Sequence, residues 1–100
     1  MAKTKVAETS DLAPGQGKVV QVSGKAIALF NADGRFYAVD NTCLHRGGPL
    51  GEGELDGTIV TCPWHGWQYD VTTGAHAANP GVKVDCFPVS VEGSGVFVEV

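Results

Sequence analysis

Two short motifs of metal-binding residues constrain this chain more than any other feature. The first is Cys43-Leu44-His45 and the second is Cys62-Pro63-Trp64-His65, and sixteen residues separate them. Each motif supplies one thiolate and one imidazole, so together they form a set of four metal ligands. In the common zinc finger, two cysteines come first and two histidines follow on a helix. Here Arg46-Gly47-Gly48-Pro49 follows the first pair and Gly66 follows the second, which indicates loops rather than helices.

Short apolar or alternating segments surround the two motifs and predict β-strands that are separated by tight turns. No helical periodicity is present, so we expect an all-β fold of about nine short strands, an antiparallel sandwich or a small barrel. Both ligand pairs then lie on loops at strand ends. The strands are predicted near 5–8, 18–22, 25–30, 35–39, 67–70, 86–92 and 96–100, and the segment 55–61 is predicted to supply a turn and a strand. Further turns are expected at 23–24, 31–34, 71–74 and 93–95, and a turn or a single helical turn at 10–15.

Length and charge limit the classes of function. One hundred residues with 43% hydrophobic content predict a single domain over 1–100. No apolar run approaches the ~20 residues of a membrane span, and the N-terminus lacks the apolar segment of a signal peptide, so we expect a soluble cytoplasmic protein. The net charge is −4 and the basic residues are scattered, which argues against nucleic acid and suits a partner with a basic docking face.

The cysteine count leaves two other interpretations of the motifs open. A disulfide between Cys43 and Cys62 would leave the two matched histidines unexplained, and a structural zinc site could use the same four ligands. The third cysteine, Cys86, lies in an alternating apolar stretch and is predicted to be a buried free thiol rather than a ligand.

The paired motifs resemble those of the Rieske [2Fe–2S] family, whose loops read C-x-H and C-x-x-H, and the segment C-P-W-H-G matches the second loop closely. The resemblance covers most of the chain. It implies a β-sandwich with a cluster-binding subdomain inserted between about residues 41 and 81. It also implies one [2Fe–2S] cluster, held by Cys43, His45, Cys62 and His65, and a third covering loop at 75–81 with Pro80 against the cluster.

The mixed ligand set has an electrochemical consequence. Two ferric ions, two sulfides, two thiolates and two neutral imidazoles sum to about zero charge, whereas four thiolates would give about −2. An electron enters a neutral centre more easily, so two histidine ligands raise the potential from roughly −400 mV to about −150 to +300 mV. Reduction should occur at the histidine-bound iron, close to a solvent-facing imidazole edge.

The resemblance implies a free-standing, monomeric ferredoxin that is not itself an enzyme. It would carry single electrons from a flavin-containing reductase to a terminal oxygenase or a similar redox enzyme. The oxygenases of this family need a further iron site of two histidines and a carboxylate, and only His76, which we predict to be a surface residue, remains here. A small subunit of a larger reductase, such as assimilatory nitrite reductase, is the alternative.

Other loop residues are given roles by the same resemblance. Glycines 47, 48 and 66 would let backbone N–H groups approach the cluster sulfurs, although they could equally be ordinary loop glycines. We expect partners to dock on an apolar rim formed by Leu44, Arg46, Pro49, Trp64 and Trp67.

The potential is expected to lie in the lower half of the Rieske range. The positions that form a disulfide in high-potential relatives are Gly48 and Trp64 here, so that bridge is absent. The serine that donates a hydrogen bond to a cluster sulfur is replaced by Trp67, whereas the tyrosine donor is retained as Tyr69. Tyr69 could also be a core aromatic without this role.

Overall fold

The computed structural model describes residues 3–22, 24–41, 49–64, 66–79 and 81–99. These residues form ten β-strands and two single-turn 3₁₀ helices. The 3₁₀ helices are Thr9–Asp11 and Leu50–Glu52. The strands are β1 (Lys3–Glu8), β2 (Gly17–Val22), β3 (Lys25–Ala32), β4 (Arg35–Asp40), β5 (Glu54–Asp56), β6 (Ile59–Thr61), β7 (Gln68–Asp70), β8 (Cys86–Phe87), β9 (Val89–Glu92) and β10 (Gly95–Glu99).

The strands form three antiparallel sheets, as the all-β prediction required. The first sheet has the order β1-β10-β9, the central sheet β2-β3-β4-β8, and the third sheet β5-β6-β7. None of the described residues belongs to a helix that is long and apolar enough to cross a membrane.

Strand β3 of the central sheet is buried on both faces, since its alternate side chains enter two separate hydrophobic clusters. Ala28 and Phe30 pack in the cluster that includes the third sheet, while Ile27 and Leu29 pack in the cluster that includes the first sheet. All four residues are fully buried. This is why β3 reads as a nearly continuous apolar run rather than as an alternation of apolar and polar residues.

The hairpin between β3 and β4 is tighter than predicted. Instead of a four-residue turn at 31–34, β3 continues through Ala32, which pairs with Arg35. The turn is Asp33-Gly34, with φ angles of 54° and 91°. Positive φ at both central residues is the geometry of a type I′ turn, whose twist matches that of the flanking strands.

Asn31 is buried in β3 instead of lying in the turn. Burial is tolerated because its side chain both donates and accepts a hydrogen bond. The amide nitrogen Nδ2 donates to the Leu12 carbonyl at 2.8 Å, and Oδ1 accepts from the Gly34 N–H at 2.8 Å. A buried amide is tolerated where its donor and acceptor are both satisfied.

The segment predicted as one strand at 86–92 is two strands in different sheets. β8 pairs with β4 in the central sheet, whereas β9 pairs with β10 in the first sheet. Pro88 separates them, and it has no N–H with which to continue a ladder. The prediction that Cys86 is buried was wrong: it is an exposed free thiol on the short edge strand β8.

Candidate metal centre

Cys62 lies at the C-terminal end of β6 and begins the loop that carries the second motif. Its side chain is 1% exposed. The Cys62 N–H donates to the Trp67 carbonyl at 2.7 Å, directly beyond the paired residues Thr61 and Gln68. Residues 62–67 therefore form a short loop that is closed at its base, as expected for a ligand loop on a strand end. Gly66 has a φ of 75°, which lets the chain turn back toward β7.

Three of the four predicted ligands, Cys43, His45 and His65, lie outside the described residues. Their assignment stays a prediction, and so do the roles given to Leu44, Arg46, Gly47, Gly48 and Pro80. Among the described residues, no three His, Cys, Asp or Glu side chains are grouped as a metal site, since only Cys62 of the predicted set is among them.

Both ends of the first motif's loop are joined by Asn41. The Asn41 carbonyl accepts from the Leu50 N–H at 2.8 Å, and its side-chain Oδ1 accepts from the Gly51 N–H at 2.8 Å. The Asn41 N–H in turn donates to the Ala26 carbonyl of β3 at 3.2 Å. The chain thus enters and leaves the first motif's loop at one point on the central sheet.

The two loops share a hydrophobic cluster. Leu50, at the exit of the first loop, is fully buried in the same cluster as Cys62, Val60 and Tyr69. Packing in this cluster restricts the motion of the Cys62 side chain, which favours a preorganised site. The buried cysteine and the paired loop ends suit a four-ligand set of thiolates and imidazoles.

Close backbone approaches at the site are made by glycines that the sequence analysis did not select. A Cβ on Gly53 would lie 2.1 Å from the Thr61 carbonyl oxygen, and one on Gly51 would lie 2.7 Å from a methyl carbon of Val19. By contrast, among the described residues that are not its chain neighbours, none has an atom within 4 Å of the position of a Cβ on Gly66. The repeated glycine in Gly51-Glu52-Gly53 was the signal in the sequence that could have indicated this packing.

The third loop lies beside the second ligand loop, and its predicted role as a cover of the cluster stays a prediction. The Ala77 N–H donates to the Gln68 carbonyl at 2.8 Å, and His76 forms an antiparallel bridge with Tyr69. Residues 75–77 therefore continue the third sheet beyond β7.

His76 is not the surface residue that the sequence predicted. It is half-buried, and its ring contacts Trp67 at a centroid distance of 4.6 Å and Tyr69 at 5.4 Å, edge to face in both cases. Two aromatic neighbours were not visible from the small residues that flank it in the sequence.

The three predicted aromatic residues of the site differ in exposure. Trp64 is 50% exposed, Trp67 is half-buried, and Tyr69 is fully buried. Trp64 is therefore available to a partner, whereas Tyr69 belongs to the core. Whether its hydroxyl reaches a cluster sulfur stays a prediction.

Two grooves flank the second ligand loop. One, of about 350 Å³, is lined by uncharged residues: Gly66, Trp67, Gln68, His76, Ala78, Asn79 and Val82. The other, of about 370 Å³, includes two exposed carboxylates: its lining is Glu52, Gly53, Glu54, Thr61, Cys62, Pro63 and Gly66. Among the described lining residues, carboxylates are thus present on one side of the loop, and Asp, Glu, Lys and Arg are absent from the other.

Comparison with known proteins shows the family of this chain. The family model described as the Rieske [2Fe–2S] domain matches residues 2–88. Ferredoxin CarAc of Metapseudomonas resinovorans is 38% identical over 96 residues, which cover 94% of this chain and 90% of that protein. The ferredoxin component of the p-cumate 2,3-dioxygenase system of Pseudomonas putida is 40% identical over 95 residues, covering 92% and 80% respectively.

A solved structure supports the same conclusion. In the complex of reduced oxygenase and oxidised ferredoxin in carbazole 1,9a-dioxygenase, one chain superposes with a TM-score of 0.88 and 37% identity, covering 96% of this chain and 91% of that one. The resemblance drawn from the two motifs is confirmed, and with it the [2Fe–2S] cluster and the role of electron carrier. The zinc, disulfide and nitrite reductase interpretations are not favoured.

Proposed function

The chain belongs to the Rieske [2Fe–2S] domain family and binds one [2Fe–2S] cluster, and we propose that Cys43, His45, Cys62 and His65 are its ligands. The observation that carries this proposal is the position of Cys62, which is buried at the end of β6 beside the exit of the first motif's loop. The other three ligands follow from the spacing of the two motifs, which the family match includes.

The function of the chain is to carry one electron at a time. The bound cluster supplies the redox chemistry, and the protein sets the conditions for it. The hydrophobic cluster around Cys62 keeps water away from the thiolate side. The third sheet and Asn41 hold the two loops in fixed positions, so little reorganisation should accompany electron transfer.

The donor and acceptor are proposed as a flavin-containing reductase and a terminal oxygenase. Support comes from relatives that are ferredoxin components of dioxygenase systems and from a similar structure that holds ferredoxin with its oxygenase. We propose no catalytic activity for this chain. His76, the histidine outside both motifs, is engaged with Trp67 and Tyr69, so it is not placed to build a second metal site.

The compartment and the oligomeric state are proposed as cytoplasmic and monomeric. Cys86 is an exposed thiol without a disulfide partner, and such a thiol persists in a reducing compartment. A carrier that serves two partners in turn needs only a small, transient contact with each.

The proposed docking face centres on Trp64, which is half-exposed at the tip of the second ligand loop. Glu52 and Glu54 lie along one side of the same loop and would attract basic residues of a partner. Trp64→Ala should slow reduction by the physiological reductase while the visible spectrum stays unchanged. An unaltered rate would remove this face from consideration.

The ligand assignment is tested by electron paramagnetic resonance of the dithionite-reduced protein, together with iron and zinc analysis. We expect the signal of a histidine-ligated [2Fe–2S] centre, and its loss in His45→Ala and His65→Ala, because each iron needs four ligands. Cys86→Ser is the matched control and should retain full iron. The spectrum of a four-cysteine cluster, stoichiometric zinc, or an intact cluster in either histidine variant would contradict the assignment.

A further inference from the structure

His76 connects the third loop to the second ligand loop through its ring. The imidazole contacts the Trp67 indole nearly perpendicularly, at 87° and a centroid distance of 4.6 Å. Trp67 closes the base of the ligand loop, since its carbonyl accepts the Cys62 N–H at 2.7 Å. A movement of Trp67 would therefore act on Cys62 through this hydrogen bond, and His65, a proposed ligand, lies two residues before Trp67 in the sequence.

The other side of the imidazole closes the third loop. Nδ1 of His76 accepts from the Ala78 N–H at 3.0 Å and from the Asn79 N–H at 3.2 Å. In this arrangement Nδ1 is an acceptor, so the proton of the neutral ring is on Nε2. Backbone contacts complete the closure, since the His76 N–H donates to the Val82 carbonyl at 2.7 Å.

We propose that His76 is a positioning residue that couples the third loop to the second ligand loop and so sets the potential of the cluster. Its acceptor nitrogen holds residues 77–79 in place, and its ring holds Trp67. This inference rests on the proposed ligands, but the state of the third loop can be measured independently of them.

The sign of the effect follows from the charge of the cluster. With two thiolates and two neutral imidazoles the oxidised cluster is close to neutral, and the reduced cluster carries one more negative charge. Water stabilises a charged state more than a neutral one. Removing the imidazole would enlarge the neutral groove of about 350 Å³ that it lines and admit water beside the ligand loop. The midpoint potential should therefore rise.

Two substitutions separate the effect of the Nδ1 acceptor from the effect of the ring. His76→Ala removes both, whereas His76→Asn keeps an oxygen that can accept from the same backbone N–H groups. Thr73→Ala is the matched control: Thr73 is exposed, and its hydroxyl accepts the Ala75 N–H at 3.2 Å at the start of the same loop. The three variants and the unsubstituted protein are compared by redox titration and by hydrogen exchange of residues 77–79 at short labelling times.

We expect His76→Ala to raise the midpoint potential and to speed exchange of the Ala78 N–H about fivefold, which corresponds to one hydrogen bond of ~1 kcal/mol. The Ala77 and Asn79 N–H groups keep the Gln68 and His76 carbonyls as acceptors. His76→Asn should keep exchange within about twofold of the unsubstituted protein, as one acceptor is restored, but should still raise the potential because the ring is missing. Thr73→Ala should change neither the potential nor the exchange of residues 77–79. If His76→Ala loses its cluster on purification, the midpoint potential of His76→Asn decides whether the ring affects the cluster.

Three results would overturn the proposal. The first is a potential that is unchanged in the variants of His76, which would make its contacts structural only. The second is unchanged exchange in His76→Ala, and the third is exchange in His76→Asn as fast as in His76→Ala. If the unsubstituted protein lacks the spectrum of a histidine-ligated cluster, the proposed ligands fail, while the exchange comparison still decides whether His76 closes the loop.

Discussion

Gly53 offers a sharp test of how the two ligand loops are held together. It follows the Leu50–Glu52 turn with φ −78° and ψ 166°, a conformation that alanine adopts without strain. A Cβ there would nevertheless lie 2.1 Å from the Thr61 carbonyl oxygen, one residue before Cys62. Any loss of stability in Gly53→Ala must therefore come from the steric contact and not from the backbone angle.

The size of the effect can be estimated from this contact. Overpacking in a well-packed region costs about 1–3 kcal/mol, and the obstacle here is backbone rather than a flexible side chain. Replacing glycine lowers the entropy of the unfolded chain, which offsets about 0.4–1 kcal/mol. A net loss of about 2 kcal/mol corresponds to a decrease in apparent Tm of about 8–16 °C for a domain of this length.

The assay is thermal unfolding followed by far-ultraviolet circular dichroism, with iron content measured before each scan. Gly81→Ala is the matched control, since a Cβ there would meet Asn79 Oδ1 at an ordinary 3.5 Å and its φ is not positive. We expect Gly53→Ala to have a lower Tm and a reduced iron content, and Gly81→Ala to match the unsubstituted protein. An apparent Tm of Gly53→Ala within about 2 °C of the unsubstituted protein, well below the shift expected from overpacking, together with full iron, would refute the close approach.

Three further outcomes are expected. Asn41→Ala should lower stability in urea by about 1 kcal/mol and speed cluster loss, because the Gly51 N–H loses its acceptor, whereas Asn41→Asp should be milder; equal behaviour of the two variants would contradict this role. Tyr69→Phe should lower the midpoint potential by tens of millivolts if the Tyr69 hydroxyl donates to a cluster sulfur, since one net hydrogen bond contributes ~1 kcal/mol. An unchanged potential would leave Tyr69 as a core residue only. Although Cys86 is exposed as a residue, partial desolvation of its thiol raises the pKa, so at pH 8 a smaller fraction is thiolate. Iodoacetamide should therefore label it more slowly than a small free thiol, with the rate rising at higher pH, and labelling as fast as the free thiol would contradict this.

The sequence alone was sufficient to predict that the fold consists of short β-strands and that the chain binds an iron–sulfur cluster. The two motifs predicted the Rieske family and its cluster, and the apolar or alternating segments predicted short antiparallel strands, which the sheet pairing confirms. These predictions succeeded because they depend on local signals. Ligand spacing, side-chain alternation and turn residues act within a few positions of one another along the chain.

Two residues show where local signals misled. Cys86 lies in an alternating stretch that predicted burial, but Pro88 divides this stretch between two sheets and leaves Cys86 exposed on a two-residue edge strand. His76 follows small residues that predicted an exposed loop, but the bridge to Tyr69 brings its ring against Trp67. In both cases the outcome depends on a partner that is distant in sequence or that belongs to a different strand.

The chemistry of this protein was thus determined by the sequence itself, since the identity and spacing of two cysteines and two histidines decide which cofactor the chain can bind. Only the tertiary structure decided which other residues support that site. Asn41, Gly53 and His76 act through contacts with Gly51, Thr61 and Trp67. Such contacts depend on how strands and loops are placed against each other, and hydrogen-bond geometry or a missing Cβ leaves no periodic pattern in a single sequence.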